Sequence, residues 1–340
     1  MAGLEFLWYL VIAFSVIAYT VLDGFDLGVG MLHPFVRTDT ERRTFLNAIG
    51  PVWDGNEVWI VVVIGALFAG FPSVYATLFS SFYNLTMVLI ACLIFRAAAI
   101  EFRSQKPSPR WRSLWDMVFA IASFGIAFFI GLAFGNLVQG IPLNAEGELE
   151  KALFNPWRPY PILIGVLAMA LFTMHGAIFL VMKTEGELQE KLKKWTGRAI
   201  ILFFIVYATT TWATWVYMPH MTERMRQSPG FLSIGVLAFL SIVNIFWEEH
   251  KRRYGRAFIS SCIGIALFVA LFGVGTYPML IRSDIDSATY SLTIYNASSS
   301  ALTLKILIII AILGVPLVIA YGIWIYRIFR GKVKLGSHSY

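Results

Sequence analysis

Asp23-Gly-Phe-Asp26-Leu-Gly-Val-Gly30 lies near the end of the first apolar run of the chain, and Trp53-Asp54-Gly-Asn-Glu57-Val-Trp59 opens the second. A carboxylate inside so apolar a segment costs roughly 3 kcal/mol even on insertion scales, so each of these acids calls for a function or a partner. The surroundings set the fold class. Of 340 residues, 58% are hydrophobic and only 14% charged, against about 25% charged in soluble domains. Uncharged runs long enough to cross a bilayer, which needs about 20 residues, recur along the chain.

The runs predict an all-α integral membrane protein with nine transmembrane helices, over about 4-32, 48-70, 73-102, 113-138, 159-182, 199-219, 229-247, 256-281 and 304-327. Residues 1-340 then form a single transmembrane domain. Gly70-Phe71-Pro72 breaks a stretch too long for one span and predicts a tight hairpin. Glu5 stands where a signal peptide would be basic, so the first run is read as a retained helix. Cys92 and Cys262 lie in apolar runs without CxxC spacing and read as packing residues, with neither disulfide nor metal suggested.

The formal charge of +7 does not mark a nucleic-acid face, because the basic residues fall in short connections. About twenty Lys and Arg occupy alternate loops from Arg37 to Lys334, against about six on the other side (Lys151, Arg158, Arg224, Arg226, Arg282 and Lys305). The positive-inside rule converts that asymmetry into an outer N-terminus and a cytoplasmic C-terminus. No loop is long enough for a separate soluble domain, so any chemistry lies within the membrane. Asn296-Ala-Ser298 in an outer loop matches a glycosylation sequon, but so does Asn84-Leu-Thr86 inside a span.

Counting from the span ends, Asp26 lies seven residues before His33, Asp54 seven after Asn47 and Arg96 seven before Arg103. At about 1.5 Å per residue each lies about 10 Å from the basic edge. Asp23 and Glu57 sit three residues deeper on the same helix faces. Four acids and one Arg are thus expected to share one layer. Arg96 neutralises one acid, and the surplus favours proton handling over a network that merely pins the first three helices. His175 is the one histidine deep within a span, while His33, His220, His250 and His338 lie at ends. It reads as a hydrogen-bonded core residue in preference to a haem ligand, which would need a second ligand at matching depth. Gly24 and Gly28, and Gly131 and Gly135, have the GxxxG spacing of close helix contacts.

Several longer matches are specific when taken together. They are Asp23-Gly-Phe-Asp-Leu-Gly-Val-Gly-Met31, Glu41-Arg-Arg43, Gly50-Pro-Val-Trp-Asp-Gly-Asn-Glu-Val-Trp59 and Leu67-Phe-Ala-Gly-Phe-Pro72, then Gly131-Leu-Ala-Phe-Gly-Asn-Leu-Val-Gln-Gly140, Lys183-Thr-Glu-Gly-Glu-Leu188 and Thr293-Ile-Tyr-Asn-Ala-Ser-Ser-Ser300. With them the chain closely resembles subunit II of the cytochrome bd-type quinol oxidases. The resemblance implies two four-helix bundles plus one peripheral helix, in a heterodimer with a similarly folded subunit I in a prokaryotic cytoplasmic membrane. In that family subunit I carries two b-type haems, one d-type haem and the quinol site, so no cofactor is expected on this chain. The complex oxidises quinol and reduces dioxygen to water with protons from the cytoplasm, and a small third subunit is left open.

Carried across, Asp26 and Asp54 match acids proposed for proton uptake, with Asp23 and Glu57 as neighbours and Arg96 as charge partner. Glu57 stands where some members have Gln, and the connection between spans six and seven is short for the family. Two further readings stay open. One is a scaffold whose acids serve assembly alone. The other is a proton-coupled transporter acting by itself, although such transporters usually have helices broken at mid-membrane, whereas here Pro clusters at helix ends.

Overall fold

The computed structural model describes residues 3–336, so His338 lies outside the described residues. Helix α1 (Leu4–Leu32) is followed by a short amphipathic helix α2 (Asp39–Ile49) and then by α3 (Trp53–Gly70), α4 (Pro72–Ser81) and α5 (Tyr83–Phe102). The remaining helices are α6 (Pro109–Gln139), α7 (Pro159–Lys183), α8 (Gly186–Tyr217), α9 (Pro219–Gln227), α10 (Pro229–His250), α11 (Tyr254–Thr276) and α12 (Ala301–Ile328). Among the described residues, nine of these (α1, α3, α5, α6, α7, α8, α10, α11 and α12) are long and apolar enough to cross a membrane.

Several boundaries depart from the sequence expectation, each for a local reason. The second span does not begin at residue 48. Thr38 and Glu41 form a capping box that starts a separate helix, α2, whose apolar residues Phe45, Leu46, Ala48 and Ile49 pack inward. Gly50-Pro51 then turns the chain before α3. The third span divides at Phe82 into α4 and α5. The sixth begins well before residue 199, because α8 runs from Gly186 with its polar first turns beyond the apolar part. The eighth ends at Thr276, where the chain leaves for a two-stranded antiparallel ribbon, β1 (Met279–Ile281) with β2 (Leu292–Thr293).

Helices α1 and α7 are the centre of the molecule. Every residue of α1 from Asp23 to Leu32 is buried. The two helices approach at Gly28 and Gly176, where a Cβ on Gly28 would come within 2.0 Å of the Phe172 carbonyl oxygen. Helix α6 meets α7 in the same way, since a Cβ on Gly131 would lie 2.7 Å from the Ile164 carbonyl oxygen. Two van der Waals surfaces this close exist only where side chains are absent, which explains both GxxxG spacings. Helix α3 packs on α1, α6 on both α1 and α7, α8 on α7 and α11 on both, with α5 against α6 and α10 against α11, while α12 lies at the edge with Leu304 as its buried residue.

The end opposite the basic loops is closed by loop-to-loop contacts. Arg158 donates to the Gly140 carbonyl at 2.5 Å and to Asp284 at 3.1 Å, and Ile141 N–H donates to the Arg282 carbonyl at 2.9 Å. Asn296 is folded into this cap, accepting from Thr293 N–H at 2.7 Å and donating to the Ser291 carbonyl at 3.0 Å.

Candidate functional site: a buried acid cluster

Asp23 and Asp26 are one turn apart on α1 and are 0% and 1% exposed. They do not share a partner. Arg96, brought by α5, donates through Nη2 to Asp23 Oδ1 at 2.7 Å and to Glu57 Oε2 of α3, also at 2.7 Å. One guanidinium thereby ties three helices together. Asp26 instead accepts from Asn56 Nδ2 at 2.7 Å, and Asn56 Oδ1 accepts from the Tyr326 hydroxyl of α12 at 2.9 Å. The cluster is only partly satisfied by the protein: Tyr19 Oη, Asp23 Oδ2, Asp26 Oδ1, Arg96 Nε and Arg96 Nη1 are buried without a protein partner.

Asp54, one turn from Glu57 on α3 and within its electrostatic reach, is exposed. Because α3 starts at Trp53, Asp54 lies in its first turn and not seven residues into the span. The N-terminal end of a helix dipole favours an anion there. Its side chain is exposed on the flank of α3, next to the exposed Gly55 and Val58. Asp23, Glu57 and Arg96 thus meet directly, with Asp26 one turn along α1, whereas the depth count sets Arg96 level with Asp26 and Asp54 and not with the deeper pair it binds. Asn56 and Tyr326 are members of the site that sequence reasoning misses, since neutral polar side chains give no signal comparable to a buried charge.

A second cluster lies nearer the basic end. Asp116 of α6 accepts from His33 Nε2 and Arg103 Nε at 2.6 Å each, and from Arg42 Nη1 at 2.7 Å. Asp39 of α2 bridges Arg103 and Arg112 at 2.8 Å each. These arginines set orientation in the sequence reading; in the structure they also hold α2 onto the ends of α5 and α6. Asp116 is the one acid in the apolar part of its helix, which is the signal that marks it.

His175 has no ring nitrogen left for a haem axial ligand. His175 Nε2 lies 3.0 Å from the Val21 carbonyl and Nδ1 lies 2.7 Å from Ser261 Oγ, so both ring nitrogens are engaged, and Phe258 stacks on its face. His33 meets Asp116 through Nε2, and its buried Nδ1 has no protein partner. Among the described residues no group of three or more His, Cys, Asp or Glu side chains is placed to hold a metal ion.

The protein family described as cytochrome bd terminal oxidase subunit II matches residues 4–329. The chain belongs to that family. It is 32% identical to the cytochrome bd-I ubiquinol oxidase subunit 2 of Escherichia coli (strain K12), over 99% of this chain and 98% of that one. It is 33% identical to the cytochrome bd ubiquinol oxidase subunit 2 of Bacillus subtilis (strain 168), over 98% of each. The fold matches a chain in the structure of bd oxidase from Geobacillus thermodenitrificans with a TM-score of 0.78, at 19% identity, over 96% of this chain and 98% of that one. This subunit II is thus a multi-pass membrane component of a haem-using quinol oxidase, and its family implies a partner subunit I. The reading as a transporter acting alone is set aside.

Proposed function

We propose that this subunit II holds subunit I and passes protons from the cytoplasmic side toward it through its buried acids. The reading rests on one observation above all: Asp23 and Asp26 are fully buried, yet each keeps a carboxylate oxygen without a protein partner. Buried polar atoms of native proteins are satisfied in the great majority of cases, so a group of five orphans in one place calls for water. Water beside carboxylates is what a proton relay uses.

The basic loops put α2 and the C-terminal end of α12 at the cytoplasmic face by the positive-inside rule, with the N-terminus outside. The resemblance to the family groups α1, α3, α5 and α6 as one four-helix bundle and α7, α8, α10 and α11 as another with α12 peripheral, and the shallow embedding of α12 agrees with that. Asp54 supplies the direction. An acid on the apolar flank of α3 would be expensive against lipid, so this flank is the one that subunit I covers, and Asp54 sits at the seam. Protons enter near Asp54, pass Glu57 and reach Asp23 and Asp26, with Arg96 holding the set together. Haems and the quinol site are those of subunit I, and quinol oxidation drives reduction of dioxygen to water there.

One observation favours a purely structural role: Arg96 is already paired with both Asp23 and Glu57. Oxygen consumption with quinol by the complex carrying Asp54→Asn, with its reduced-minus-oxidised haem spectrum on the same preparation, separates the two. Turnover lost with haems intact supports the proton path. Haems lost with activity point to assembly, and unchanged turnover removes Asp54 from any path.

A further inference from the structure

The face of α1 that carries Asp23 and Asp26 continues to the basic end of the helix. Spacings of three, four and three residues place Asp23, Asp26, Gly30 and His33 in one row. His33 still has helical geometry, with φ −56° and ψ −38°, and all four residues are buried. It lies seven residues past Asp26, about 10 Å along the axis. Gly30, between them, has no side chain, and α6 takes its place: a Cβ there would overlap Ser123 Oγ. Neighbours three and four apart on a helix are about 5–6 Å from Cβ to Cβ. The Ser123 hydroxyl therefore stands within about one water molecule's reach of Asp26 on one side and of His33 on the other.

At each end of this stretch an ionisable side chain keeps one buried atom without a protein partner, Asp26 Oδ1 and His33 Nδ1. The neighbours of His33 decide its tautomer. Asp116 accepts from Arg103 Nε and Arg42 Nη1. Guanidinium groups only donate, so two of them hold Asp116 as a carboxylate, which only accepts. His33 Nε2, 2.6 Å from Asp116 Oδ1, is therefore the donor. Nδ1 is left with a free lone pair, the form in which an imidazole takes up a proton. Water at the basic end comes close to it, since Pro34 and Phe35 are exposed and the Arg42 side chain keeps 27% of its surface in solvent.

We propose that His33 is a proton inlet for the acid cluster: Nδ1 takes a proton from water at the basic end and returns it, through water held at Ser123, to Asp26 Oδ1. The ring passes through an imidazolium paired with Asp116 and ends neutral, while Asp26 ends as the acid, so one proton moves and nothing else is consumed. This lane runs inside the bundle, apart from the entry near Asp54 on its flank. The inference deepens the proton-handling reading of Asp26 and rests on it. The charged groups facing the ring are Asp116 of α6, Arg42 of α2 and Arg103 at the end of α5. Asp39 of α2 pairs with Arg103 from the far side, so each of these arginines has a carboxylate of its own. Phe45 of α2 and Phe119 of α6 flank the ring. Ser123 Oγ donates to the Phe119 carbonyl at 2.8 Å, which leaves its lone pairs for water.

The test is oxygen consumption with quinol by the purified complex across pH, with the haem spectrum taken on each preparation. His33→Gln keeps an amide donor for Asp116 but has no atom that takes up a proton near neutral pH. It is expected to leave turnover close to native in acid, where protons are abundant. The alkaline fall of the profile should move about one pH unit lower, the shift that a tenfold loss of proton capture produces. Ser123→Ala is expected to move the fall the same way and to add nothing in the His33→Gln background, since both residues serve one lane. A native profile in His33→Gln overturns the inference, and so does a full further shift from Ser123→Ala in that background. If His33→Gln loses its haems, Ser123→Ala decides alone, and a native profile there overturns the inlet. Asp26→Asn separates this inference from the reading beneath it. Native turnover in that variant removes the proton path itself, whereas impaired turnover beside a native His33→Gln profile removes only the His33 inlet.

Discussion

Arg96 of α5 and Asp23 of α1 meet at 2.7 Å with 1% and 0% of their side chains exposed, and the same Arg96 nitrogen also holds Glu57. Removing one partner of a buried pair leaves the other charged and unsolvated, which costs about 3–5 kcal/mol. Arg96→Gln leaves two acids unpaired and is expected to lower the thermal midpoint of the complex more than Asp23→Asn, which leaves Glu57 to hold the guanidinium. The double variant should lose less than the sum of the two, and strict additivity in thermal unfolding would show that the pair is not energetically linked.

The crossing of α1 and α7 makes a second, purely steric prediction. A methyl group on Gly28 has no place to go, because its nearest neighbour at 2.0 Å is backbone, the Phe172 carbonyl, and Gly176 Cα lies at 2.8 Å. Overpacking typically costs about 1–3 kcal/mol and more where backbone must move. Gly28→Ala is expected to reduce assembled complex in detergent, measured by size-exclusion chromatography. Gly314→Ala on the peripheral helix α12, where nothing lies within 4 Å, should leave it unchanged.

How far the sequence reveals this arrangement depends on how costly each feature is to bury. Spans are legible because twenty apolar residues in a row have few alternatives, and depth counting brings Arg96 among the acids but not to the deeper pair, Asp23 and Glu57, that it binds. The start of the second span is misread, since Phe45, Leu46, Ala48 and Ile49 of α2 run on into it and only the Gly50-Pro51 turn separates them. Asp116 is hidden for a different reason. Its partners Arg42 and Arg103 lie in connections where arginine already has an explanation in topology, so their need for an acid goes unasked. Asn56 and Tyr326, being neutral, pass as ordinary helix residues until the amide is seen between a hydroxyl and a carboxylate.

Outside the membrane, Glu41 gives a pH prediction with a definite sign. Burial pushes its carboxyl up, but hydrogen bonds from Arg37 and Thr38 N–H and from Lys191 outweigh this and hold it below the usual 4.5. A carboxylate with a lowered folded-state pKa stabilises the fold above its unfolded value, and that contribution is lost as pH falls through the folded value. Glu41→Gln is expected to loosen α2 by about 0.5–1 kcal/mol at neutral pH, seen as faster amide exchange over 39–49. The difference from the native chain should fade once the pH drops below the folded-state value. A difference that persists undiminished in acid would mean that the charge of Glu41 does not matter.

Asp116 and Asp39 both bridge arginines at the basic end, and burial separates their expected worth. The side chain of Asp116 is 7% exposed and that of Asp39 is 45% exposed. Asp116→Asn leaves Arg103, Arg42 and His33 around a neutral amide with little water to replace the lost charge, a loss of about 3 kcal/mol by analogy with other buried pairs. Asp39→Asn disturbs pairs that solvent already screens and should cost less than about 1 kcal/mol. Since Asp116 joins α6 to the end of α1, to α2 and to the end of α5, its loss should free α2 before it unfolds the bundle. Hydrogen exchange should therefore accelerate over 33–49 in Asp116→Asn while the Gly28–Gly176 crossing stays protected. If Asp39→Asn proves the more damaging of the two, the attachment of α2 runs through the surface pair with Arg112, and the buried cluster is not what holds it.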